Sequence, residues 1–85
     1  MRVSIHNPFA GPIRAEVLGV KRGEQAPGVF AGPIWVTVRS VCEAKGYPKG
    51  YVFDAMYLDV YLNHKFVGYG VEYTGKPSIE ELEAA

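Results

Sequence analysis

Five side chains in this sequence have the chemistry for catalysis or metal binding: Cys42 as a nucleophile, His6 and His64 as bases or ligands, and Asp54 and Asp59 as carboxylates. None stands in a spacing that joins them into a site. Zinc is held by ligands in close pairs, and His6, His64 and Asp59 are scattered, so no metal is expected. The glycines fall at turns and not in a Gly-rich strand-to-helix crossover, so no phosphate loop and no cofactor are expected either. Cys42, beside Val38 and Val41, reads as a small buried hydrophobe, and His64 as solvated turn chemistry. With no catalytic residues to name, the expectation is a non-enzymatic protein.

Aromatic residues carry the stronger signal. Tyr57, Tyr61 and Phe66, with Asp59 among them, fall on one side of an alternating run, and aromatic side chains dominate the centres of protein interfaces. These four are the first choice for partner binding; Arg22, Glu24 and Phe30, in a loop over 22–33, are the second. The run VGYGVEY shares glycine and aromatic spacing with the aromatic strand of RNA-recognition domains. It departs from that motif at Val67, where a basic residue belongs, and at Val71, where an aromatic belongs, so the family is not claimed. The aromatic face could instead stack single-stranded nucleic acid, although Asp59 and Glu72 would repel phosphate.

The elements that must position these residues follow from periodicity. Val3 and Ile5 alternate with Arg2, Ser4 and His6 as a first strand ending at Asn7-Pro8. After a turn at Gly11-Pro12, Ile13, Ala15 and Val17 alternate as a second strand, and the pattern slips at Leu18-Gly19-Val20, the signature of a bulge. The loop over 22–33 is long enough to suspect a function, with Val29 and Phe30 dipping toward the core. Ile34 to Lys45 admits both periods; Pro33 at its start, Gly46 at its end and the repeat of Ile34, Val38, Val41, Cys42 and Lys45 favour a helix. Gly46 to Gly50 is a turn cluster.

The run MYLDVYLNHKFVGYGVEY reads as a hairpin turning at Asn63-His64. That turn would put Met56, Leu58, Val60 and Leu62 on the core face and Tyr57, Asp59 and Tyr61 on the other. The tail over 77–85 reads as a short helix, Ser78 and Glu81 forming a capping box and Ile79 and Leu82 docking it.

The sum is a small single α+β domain over residues 1–85: an antiparallel sheet of about four strands, one packed helix and a short C-terminal helix prone to fraying. The formal net charge is zero and the isoelectric point about 6.7, unlike a general nucleic-acid binder. Seven basic against three acidic residues in 1–50, and two against six in 51–85, give the halves opposite signs, a pattern that can steer a partner or drive self-association. A single cysteine and the lack of an apolar leader or an 18-residue apolar run suggest a cytoplasmic protein with no membrane contact. The expected role is a protein-binding module, a small accessory or inhibitor of the phage or mobile-element kind that occupies a surface on a larger protein or complex. Homodimerisation would protect an open sheet edge or face.

Overall fold

The structure, a computed structural model, describes residues 1–23, 32–65 and 72–85. Six antiparallel strands form one sheet in the order β4-β3-β2-β1-β5-β6. In chain order these are β1 (Arg2–Asn7), β2 (Gly11–Arg22), β3 (Ile34–Ser40), β4 (Val52–Met56), β5 (Val60–Lys65) and β6 (Glu72–Gly75). A 3₁₀ turn, Tyr57–Asp59, joins β4 to β5, and a five-residue helix, α1 (Ile79–Glu83), closes the chain. The domain is small and, among the described residues, mostly sheet, with more strands than the four expected and one short helix. Among the described residues no helix is long and apolar enough to cross a membrane.

Alternation sets the two faces. Val3 and Ile5 of β1 stand opposite Ala15 and Ile13 of β2 and opposite Leu62 and Val60 of β5, and all six are buried. On β3, Val36 and Val38 continue this face, and buried Ser40 satisfies its hydroxyl by donating to the Cys42 carbonyl at 2.6 Å. The bulge falls where the sequence slips: Val17 faces Val38, Leu18 is the extra residue, and Gly19 faces Thr37. Because of that extra residue, Val20 as well as Val17 meets an inward valine, Val36.

The sheet is rolled, as its connections require. Laid flat in this order, β4 and β5 would stand ~19 Å apart, at ~4.8 Å per strand. The chain from Met56 to Val60 reaches at most ~15 Å fully extended and less in a 3₁₀ turn. The turn therefore draws β4 round toward β1 and β5, and it contacts both β1 and β3. Inside the roll lies the core, with Leu82 of α1 inserted fully buried among the valines. Ser78 caps α1, its Oγ accepting from the Glu81 amide at 3.2 Å, and Arg22 of β2 pairs with Glu83 at 2.6 Å.

Two expectations are corrected. Ile34–Ser40 is a strand and not the start of a helix to Lys45, because Ile34, Val36, Thr37 and Val38 are β-branched and pack on a pleated surface. The supposed helix-capping Gly46 adopts φ +77° inside a small turn bridged by Ala44 and Tyr47, and the Pro33 carbonyl accepts from the Gly23 amide at 2.6 Å. A left-handed glycine ends helices and makes turns alike, so that signal was ambiguous. Cys42, expected to be buried on the helix, is exposed just past β3.

The second correction concerns the hairpin. Asn63 and His64 do not turn the chain: β5 runs through them and pairs with β6 at Asn63–Thr74 and His64–Tyr73. Met56 ends β4, so the run read as one strand is an edge strand, a 3₁₀ turn and a second strand. The link between β5 and β6 lies in 66–71, outside the described residues, as does the middle of the loop with Glu24, Val29 and Phe30.

Candidate functional site

Where the roll stays open, between β4 and the end of β1, lies a groove of about 350 Å³. Its walls are largely apolar: Ile5, Pro8, Phe9, Trp35, Tyr47, Phe53, Ala55 and Met56. His6, Asn7, Asp54 and Asp59 supply the polar groups, and no lysine or arginine lines it. A concave apolar wall with a few polar groups is the usual make-up of a ligand site.

Asn7 builds the rim. Its Oδ1 accepts from the amides of Phe9 at 2.8 Å and Ala10 at 3.1 Å, a side-chain turn that swings Phe9 outward, and its Nδ2 donates to the Tyr47 hydroxyl at 3.1 Å. Phe9 is thereby 90% exposed, the most exposed large apolar side chain among the described residues. Tyr47 and Phe53 pack with ring centroids 4.9 Å apart, and Tyr51 stacks on Phe53 at 5.8 Å. Phe9 and Trp35 make no ring–ring contact among the described residues.

The groove follows a sheet edge. The Ser40 amide donates to the Tyr51 carbonyl, so by ladder alternation Phe53 and Ala55 turn their backbone groups toward β3. Val52, Asp54 and Met56 then present theirs to the free side, where no backbone partner meets them among the described residues. Asp54 is the one charged guard on the edge strand: Val52–Met56 contains no lysine, proline or bulge.

Asp54, missed as an aromatic-site residue by the sequence pattern, sits on the outer side of β4. Its Oδ1 accepts from Thr37 Oγ1 at 2.6 Å and its Oδ2 meets Lys21 Nζ at 3.2 Å. The Thr37 hydroxyl foremost, with help from Lys21, holds its carboxyl below the ordinary aspartate value of 3.8, against the opposing effect of burial. A lowered folded pKa contributes stability that is complete above pH 3.8 and is lost as pH falls through the folded value. Thr37→Val will raise the Asp54 carboxyl titration seen by NMR and cost under about 1 kcal/mol, since the ion pair is exposed. An unmoved titration would show that the Thr37 hydroxyl does not control it.

The sequence-predicted residues are dispersed. Asp59 lines the groove from the 3₁₀ turn. Tyr57, half-buried, donates its hydroxyl to the Pro77 carbonyl and lies under the Lys76 ammonium, 4.1 Å from its ring centre, so it ties down the C-terminal segment. Tyr61 is 39% exposed on the outer sheet face, edge-on to His6 at 5.4 Å. Arg22 is engaged with Glu83. Phe66, Glu24 and Phe30 lie outside the described residues. Phe9 was legible as an apolar residue inside a turn signal, and Tyr47, Tyr51 and Phe53 as a cluster within GYPKGYVF; pairing of β3 with β4 brings that cluster to Trp35, and the roll adds Phe9.

Among the described residues no group of three or more His, Cys, Asp or Glu is placed to hold a metal ion. Comparisons of the chain with protein-family models, with curated proteins and with solved structures return no match, so its site is read from its own geometry.

Proposed function

We propose that this protein is a non-enzymatic binding module, a small accessory or inhibitor that occupies a surface on a larger protein. Its contact surface is the aromatic groove beside β4. The observation that carries the reading is Phe9, 90% exposed at the mouth of a groove also lined by Trp35, Tyr47 and Phe53. A lone surface phenylalanine is unremarkable, but this one stands at the mouth of an apolar cleft whose Phe53 also carries the stacked, exposed Tyr51. The unpaired edge of β4 suits a partner segment that adds as a further strand, main-chain bonds giving affinity and the aromatic walls giving selectivity.

The test is capture of partners from lysate of the source cell by tagged wild-type protein and by Phe9→Ala, with and without nuclease. Phe9 touches so little that the substitution will leave the melting temperature within about 2 °C, while recovery of a nuclease-resistant partner falls at least about tenfold, as for an interface hot spot. Equal recovery by both proteins would remove the groove from the interface.

One observation favours a second reading, single-stranded nucleic acid on the outer sheet face. Arg2, Glu16 and Arg39 stand in one row across β1, β2 and β3, and Tyr61 lies across Ser4 from Arg14. Three exposed arginines thus surround one acid beside an exposed ring, a stacking and phosphate-binding combination. Recovery that vanishes with nuclease would move the function to that face.

A further inference from the structure

The groove's ligand chemistry follows from the residues that line it. Phe9, Trp35, Tyr47 and Phe53 present aromatic surface, and Asp54 and Asp59 add two carboxylates. Lys21 is paired with Asp54, whereas Asp59 has no cation within 4.0 Å among the described residues. The lining itself contains no lysine or arginine, so with Lys21 offsetting Asp54 it is Asp59 that leaves the groove a negative charge. Aromatic faces attract cations through their quadrupoles, most strongly where water is partly excluded and a carboxylate stands near, and tryptophan is the best such face. The molecule already uses this contact once, where the Lys76 ammonium sits over the Tyr57 ring.

We propose that the groove receives a cationic side chain, a lysine-type alkylammonium, projected from the partner's extended segment. The inference rests on the reading of the groove as the partner site and adds what that partner must offer. Anionic and purely apolar segments are disfavoured, the first by Asp59 and the second because it would strip water from Asp59 without replacing it.

Trp35 is the chain's only tryptophan, so its fluorescence reports the groove directly. The full chain is titrated with choline and, separately, with 3,3-dimethylbutan-1-ol, a neutral molecule of the same shape, at matched ionic strength, following Trp35 emission and the backbone amide shifts of Ala55 and Asp59. Choline is expected to saturate both signals at concentrations about tenfold lower than the alcohol, in the range of cation–π contacts. Asp59→Asn, a change at an exposed position, is expected to weaken choline several-fold and leave the alcohol unchanged. Nα-acetyl-lysine amide should bind as choline does, and acetate should leave the groove signals unmoved.

Equal responses to choline and the alcohol, or no choline response at the groove amides, would overturn the inference. The partner capture described above is read separately. If Phe9→Ala abolishes capture while choline and the alcohol bind alike, the partner site stands and its cation preference falls. If choline binds selectively while Phe9→Ala captures normally, the cation site stands and the partner reading falls.

Discussion

Val36→Asp will abolish cooperative folding. Val36 is fully buried, with Val20 on one side and Ala55 on the other, at the centre of the rolled sheet. Among the described residues the only buried polar side chain is Ser40, already bonded to the Cys42 carbonyl, so an ionised carboxylate there goes unpaired and costs more than about 4 kcal/mol, close to the whole stability of a domain this small. Val36→Thr keeps the volume and adds one hydroxyl, and is expected to cost about 1–3 kcal/mol. Cys42→Ser, at an exposed position, is expected to change stability by less than about 0.5 kcal/mol. Thermal unfolding by circular dichroism separates strand from helix at this segment. The helical reading puts Val38, Val41 and Cys42 inside and leaves Val36 free to change; a Val36→Asp protein that melts like wild type would support it and overturn the strand.

Leu82→Ala will destabilise the fold by about 2–4 kcal/mol, the range for truncating a fully buried leucine where the surroundings cannot collapse. A five-residue helix has no stability of its own, so nearly all that holds α1 in place is docking. Leu82 enters the core cluster, Pro77 is buried, and Tyr57 holds the Pro77 carbonyl. By contrast the Arg22–Glu83 pair is largely solvated, so Arg22→Ala should cost under about 1 kcal/mol. Urea unfolding followed by Trp35 emission measures both, and with a slope near 1 kcal/mol/M the Leu82→Ala midpoint should move down by about 2–4 M. A midpoint within about 0.5 M of wild type would mean that α1 is not part of the cooperative unit.

Several local features were legible because their causes are local. The alternation of Val3 and Ile5, and of Ile13, Ala15 and Val17, gave the faces of β1 and β2 directly. The slip at Leu18 announced the bulge, and Ser78 with Glu81 announced the start of α1. Where two local signals shared one residue type, the reading failed. Gly46 fitted a helix end or a turn, Asn63-His64 fitted a turn or a strand interior, and only strand pairing chose between them.

The sequence by itself determined the inward and outward faces of β1 and β2, the bulge, the capped C-terminal helix and the lack of any long apolar helix, because each depends on residues within a few positions of one another. The tertiary structure alone decided that Ile34–Ser40 is a strand and that the aromatic groove exists. Phe9 follows β1, whereas Trp35, Tyr47 and Phe53 belong to β3, β4 and the link between them, and Phe9 meets the others because the short link from Met56 to Val60 forces the sheet to roll. No periodicity encodes that meeting, since it depends on how far a three-residue turn reaches against the width of a five-strand span.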